Sequence, residues 1–203
     1  MKVSNKELFH IHSIDSYDDI WQVGNIINID NDFISNRFLF MNERFKLLSN
    51  YFKTNDVEEL IKKIEYLIAE FMFLSDEEQK MHEDTIEVLR DYLKFLHTYK
   101  FELGLETARK KIDESLPSRF HSIWLTNDTD LNYWKSKFDY NDIVFKLSLD
   151  GTLFKTSDNF FPSQLLPLKE IIEEAYNYWK PNNQETIVHE YLFQGKATII
   201  KKL

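Results

Sequence analysis

The chain has 203 residues, 43% hydrophobic and 29% charged, with 34 acidic against 25 basic side chains, a formal net charge of −9 and no cysteine. That apolar fraction suffices for a sizeable core, while the missing cysteine excludes a disulfide framework, thiol catalysis and a zinc–cysteine site. The acidic balance disfavours nonspecific binding to nucleic acid, which rests on neutralising phosphates with Lys and Arg, and no apolar run reaches the length of a bilayer span or a signal peptide. The expectation is a single domain over residues 1–203, cytoplasmic and without membrane association.

Leu8 to Ser13 reads as a short strand, with Leu8, His10 and His12 on one face and Phe9 and Ile11 on the other. Ser16 to Val23, ahead of Gly24, has the polar start and glycine stop of a short helix. From Asp56 to Leu74, residues such as Val57, Leu60, Ile64 and Leu67 recur at helical spacing behind an Asp56 and Glu59 cap pair. Ser75 and Glu78 repeat the capping-box spacing before a second long helix striped by Ile86, Leu89, Leu93 and Leu96. These two helices are expected to pack as an antiparallel hairpin. After Pro117 the texture changes: Phe120 to Thr126, Ile143 to Leu149 and Ile187 to Ile200 are rich in β-branched and aromatic residues and read as strands. Asp128 to Phe138 and Pro167 to Trp179 read as helices between them, and Thr156 to Gln164 and Lys180 to Glu185 as loops. The sum is an α+β domain.

The familiar phosphate-binding turns need clustered glycines, whereas here they stand alone at 24, 104, 151 and 195. Neither a Gly-x-Ser-x-Gly elbow nor a His-Glu-x-x-His helix occurs. His10 and His12 at alternate strand positions could ligate a metal together with His121 or His189 and a carboxylate; they serve equally well as hydrogen-bonding residues that line a cleft. Strand alternation puts Glu190 on the face of Val188 and Leu192, a carboxylate projecting from an apolar stripe. Such an acid is either paired, for example with Arg119, or faces a cleft where a ligand completes its hydrogen bonds.

Three segments taken together resemble the ADP-ribosyltransferase-like superfamily, whose signature of His, aromatic and Glu is spread over three strands. Phe9-His10-Ile11-His12-Ser13, followed by Gly24, is similar to its first block. Ser122-Ile123-Trp124-Leu125-Thr126, leading to the acidic start at Asp128, is similar to the second, and Glu190-Tyr191-Leu192-Phe193-Gln194-Gly195 to the last. The chain also resembles a bacterial family, without an assigned activity, that shares the Pro117-Ser118-Arg119 and Glu190-x-Leu192 blocks.

The resemblance implies a split β-sheet core with residues 37–116 as a helical insertion, and an enzyme that cleaves the nicotinamide–ribose bond of NAD and transfers ADP-ribose to a protein or nucleic-acid acceptor. It implies Glu190 as the catalytic carboxylate, His10 against the ribose or adenosine side of NAD, and Trp124 in the place of a tyrosine beside the nicotinamide. Arg119 would meet the pyrophosphate and Ser118 and Ser122 would add hydroxyl contacts, with no metal required. Val188 stands where arginine-modifying members carry Gln or Glu, so an arginine acceptor is not supported. A toxin, effector or phage-defence role is compatible with the superfamily. Two alternatives stand beside this reading: a noncatalytic interaction protein on the same fold in which Glu190 pairs with Arg119, and NAD-dependent RNA 2′-phosphate chemistry using His12, His121 and His189.

Overall fold

The computed structural model describes residues 1–12, 20–35, 76–137, 142–163, 165–180 and 188–203, with the single positions 39, 59, 61, 62 and 66. Most of the helix expected over Asp56 to Leu74, the cap at Ser75, most of the helix expected over Ser16 to Val23 and most of the loop at Lys180 to Glu185 lie outside them. The chain divides into two compact units, Met1–Asn36 with Phe101–Leu203, and Arg37–Lys100. Residues 101–116, assigned to the expected insertion, belong to the first unit.

The second unit carries the first part of the long helix α1 (Asp76–Ile112), where Tyr92, Phe95 and Tyr99 stack at 6.3 and 6.2 Å along one face, the spacing of helical neighbours. The first unit is α+β, with five antiparallel strands: β1 (Lys2–His12), β2 (Ile26–Ile29), β3 (Ile123–Leu125), β4 (Ile143–Thr156) and β5 (Glu190–Lys202). The strand order is β1-β4-β5-β2, with β3 also paired to β5. Phe9 and Thr126 exchange main-chain hydrogen bonds of 2.9 and 2.8 Å, so the sheet curls until β1 meets β3. Among the described residues no helix is long and apolar enough to cross a membrane.

Strand alternation gives the sheet two buried faces. One gathers Leu8, Leu125, Phe145, Leu147, Tyr191 and Phe193, with Trp21 against them; the other carries Phe154, Leu192 and Trp124 under helices. Those helices are the last turns of α1 and α3 (Leu168–Trp179), in which Ile171, Ala175, Tyr178 and Trp179 recur at the spacing of one helical face. Trp179 is fully buried and donates its indole N–H to the Leu105 carbonyl at 2.7 Å, which ties the two helices together.

Several elements differ from the sequence expectation. The expected strand at 120–126 shortens to β3, because Ser118 caps a 3₁₀ turn at Arg119–His121. The helix expected over 128–138 is the five-residue α2 (Leu131–Lys135), preceded by a turn in which Asn127 Oδ1 accepts from the Asp130 N–H at 2.7 Å. β1 starts earlier than expected, its polar end pairing with β4 through main-chain hydrogen bonds, and β4 ends later, running on past Gly151 to pair Leu153 and Phe154 with β5.

Gly151 and Gly195 face each other across β4 and β5, and Gly195 has φ +141°. A Cβ at Gly195 meets the Asp150 carbonyl at 2.5 Å and Gly151 Cα at 2.7 Å. Gly195→Ala is therefore expected to lower stability by about 2–3 kcal/mol, through strain and overpacking at the centre of the sheet. Urea denaturation checks this, and a change under about 0.5 kcal/mol would show that the strands separate freely.

Candidate functional site

The site is built around Arg119, which the 3₁₀ turn delivers beneath the helices with 1% of its surface exposed. Its Nε and Nη2 donate to Glu102 of α1 at 2.7 and 3.1 Å, a bidentate pair. Its Nη1 donates to Glu190 Oε1 at 2.7 Å and also to the hydroxyl of Tyr178, which in turn donates to the same Glu190 oxygen at 2.7 Å. The guanidinium lies over the rings of Trp124, Phe161 and Tyr178, 4.6 to 5.1 Å from their centroids. Burial alone would push the Arg119 pKa down; Glu102, Tyr178 and Glu190 outweigh it and hold the group charged, well above its usual range. Burial pushes the Tyr178 hydroxyl up, so it stays protonated and donates.

Arg119 thus joins two buried carboxylates, Glu102 of α1 and Glu190. Glu190 is the first residue of β5 and is 5% exposed. Both of its hydrogen bonds converge on Oε1. Among the described residues Oε2 accepts none, and the Glu190 side chain keeps 7% of its surface exposed.

The other expected site residues sit as follows. Trp124 is beside the cluster, under Arg119. Ser118 spends its hydroxyl on the Phe120 N–H at 3.2 Å as the turn's cap, and Ser122 Oγ is buried with no partner among the described residues. His10 lies opposite Phe145 of β4, on the face of Leu8, whereas Glu190 shares the face of Leu192. His10 and Glu190 are thus on opposite faces of the sheet. The His10 Nδ1 is 2.9 Å from the Trp124 carbonyl, Nε2 is 3.3 Å from His12 Nδ1, and the ring stacks on Trp21 at 4.5 Å. Burial pushes its pKa down to about 4, against the pull of the Trp124 carbonyl and with a smaller contribution from His12.

The donors of Arg119, the residue expected at the NAD pyrophosphate, are turned toward Glu102, Glu190 and Tyr178. Of the histidines of the metal alternative, His10 and His12 contact each other, whereas His121 Nδ1 lies 2.8 Å from the Phe33 carbonyl and His189 Nδ1 3.0 Å from Asp130. Among the described residues no group of three or more His, Asp or Glu is placed to hold a metal.

Sequence reading missed Glu102 and Tyr178. Glu102, Glu106 and Arg109 follow one another at i, i+4 and i+7 beside the apolar stripe of Phe101, Leu105 and Ala108. All three are buried, and Arg109 grips Glu106 through two bonds while donating to the carbonyls of Glu114 and Leu116. In a sequence that stripe is indistinguishable from a solvated flank.

Fold and site together define an α+β protein whose sheet is joined to its covering helices by a buried carboxylate–guanidinium–carboxylate cluster. The chain belongs to the family described as protein of unknown function DUF2441, whose model matches residues 8–203. No curated protein matches it.

Proposed function

We propose that the chain is an NAD-dependent ADP-ribosyltransferase on an ADP-ribosyltransferase-like core, with Glu190 as its catalytic carboxylate. The observation that carries this reading is the asymmetry of Glu190 at the head of β5: Oε1 is fixed by Arg119 and Tyr178, and Oε2 has no hydrogen-bond donor among the described residues. Cleavage of the nicotinamide–ribose bond develops positive charge on the ribose, and a fixed carboxylate on a ribose hydroxyl stabilises it, as in glycoside cleavage. In support, the three blocks of the resemblance fall on the neighbouring strands β1, β3 and β5.

Glu190 and the adjoining Trp124 fit the substrate. Arg119 and Tyr178 act through Glu190 as positioning residues, and His10, on the other face, has no part in this reading. The test is nicotinamide release from NAD by the wild type and by Glu190→Gln, whose amide oxygen still accepts from Arg119 and Tyr178. A loss of about 100- to 1000-fold with unfolding unchanged is expected. Equal turnover in the two proteins, or no NAD binding by calorimetry, overturns the reading.

One observation favours a second reading, a noncatalytic interaction protein. Arg119 and Glu102 are almost wholly enclosed, so the cluster serves equally as a structural tie between sheet and helices. On that reading NAD does not bind, and Glu190→Gln changes stability alone. RNA 2′-phosphate chemistry is not carried forward, because His121 and His189 are bound to separate partners and His12 lies beside His10.

A further inference from the structure

We infer that α1 pairs antiparallel with α1 of a second copy of this chain, through the stripe of Ile86, Leu93 and Leu96. The sequence spaces apolar residues at 86, 89, 93 and 96, alternate steps of three and four that place them on one side of the helix. Ile86, Leu93 and Leu96 are exposed by 55, 65 and 38%. Single apolar side chains on a surface are ordinary, whereas a row at this spacing is the seam by which one helix receives another. The row is not the face that α1 already buries. Phe95, 8% exposed and flanked by the stacked rings of Tyr92 and Tyr99, follows Leu93 by two residues and so stands about 200° round the helix. α1 is therefore apolar on two opposed sides, one buried and one exposed.

Two features select a second copy over a different partner. First, the stripe is symmetric about Asp91: with the second helix turned end to end, position 86 comes opposite 96, and 89 opposite 93. An apolar row that is its own complement is what a two-fold interface requires. Second, charge follows the same symmetry. Ahead of Leu89 the helix carries Asp76, Glu77, Glu78, Glu83, Asp84 and Glu87 against Lys80; after it come Arg90, Lys94 and Lys100 against Asp91. The antiparallel arrangement lays each acidic half along a basic half and opposes the two helix dipoles. A parallel one would put like charge beside like. All of these positions lie in the unit Arg37–Lys100, so the pairing does not involve Glu190 and holds whether or not the chain turns over NAD.

The seam covers about two heptads, so a dimer with Kd of about 10–100 µM is expected. Sedimentation velocity on the full chain from about 1 to 300 µM tests it, with the charged variants Ile86→Lys and Leu93→Glu. Both side chains are exposed, so unfolding in urea is expected to be unchanged at low concentration, where the wild type is monomeric as well. The wild type is expected to dimerise, and each variant to associate at least about 30-fold more weakly.

Orientation is read by disulfide formation, which has no background because the chain lacks cysteine. An equal mixture of Ile86→Cys and Leu96→Cys is expected to give oxidised dimer, and either variant alone little of it. In an antiparallel pair the two positions 86 lie about 15 Å apart along the axis, and a disulfide spans less than about 7 Å between Cα atoms. A wild type that is monomeric at the highest concentration overturns the inference and leaves the stripe to a helix of another protein. Dimerisation unchanged by both charged variants overturns it in favour of another surface, and efficient crosslinking of each cysteine variant with itself overturns the antiparallel arrangement.

Discussion

Arg119→Met is expected to unfold at much lower urea concentration than the wild type, with stability lower by about 3–5 kcal/mol. The substitution roughly conserves length and apolar contact with Trp124, Phe161 and Tyr178, so the loss is electrostatic in origin. Glu102 and Glu190, 0% and 5% exposed, are left facing each other without the cation between them. Adding Glu102→Gln to the variant is expected to restore part of the loss, because only one carboxylate then lacks a counter-ion, and the two changes are accordingly non-additive. A loss below about 1 kcal/mol would mean that water reaches both carboxylates and that the cluster is not a dry tie between sheet and helices.

The second large effect is a loss of stability in mild acid that traces to His10. Its folded-state pKa is down from 6.5 to about 4, mainly through burial among Trp21, Phe145 and His12, with the Trp124 carbonyl opposing. Between these values the unfolded chain binds a proton that the folded chain refuses. Stability is therefore complete above pH 6.5 and falls as pH drops toward 4, by up to about 3 kcal/mol. His10→Gln keeps a donor for the Trp124 carbonyl and does not titrate, so its stability is expected to vary less between pH 7 and 4.5 when the two proteins are compared by urea denaturation. Identical pH dependence would remove His10 as the source.

What the sequence disclosed follows from how much of each signal is local. α3 and the cores of β1, β4 and β5 were legible because their apolar spacing is itself the cause of their burial. β2 was not, since Ile26-Ile27-Asn28-Ile29 is four residues long and is a strand only because β5 offers it an edge. The pairing of Glu190 with Arg119 was one of two readings that the apolar stripe allowed. The other members of the cluster came from elements whose sequences gave no hint: Glu102 from a helix flank, and Tyr178 from the last turn of α3. His10 and Glu190 looked equivalent in their strands; only the register of β1 on β4 and of β4 on β5 puts them on opposite faces.

β5 hydrogen-bonds to β2, β3 and β4, all of which precede it in the chain. None of those three pairings can form until this strand arrives, and every one closes a long loop, from β2 by way of more than half the chain. Folding of this unit is thus governed by distant contacts, which places it among slow-folding topologies and makes assembly of the sheet close to all-or-none. The same dependence protects the finished molecule. From Tyr191 to Phe193 and from Gly195 to Thr198 β5 is paired on both sides, so its amides there are released only when the sheet comes apart, and their protection from hydrogen exchange tracks global stability.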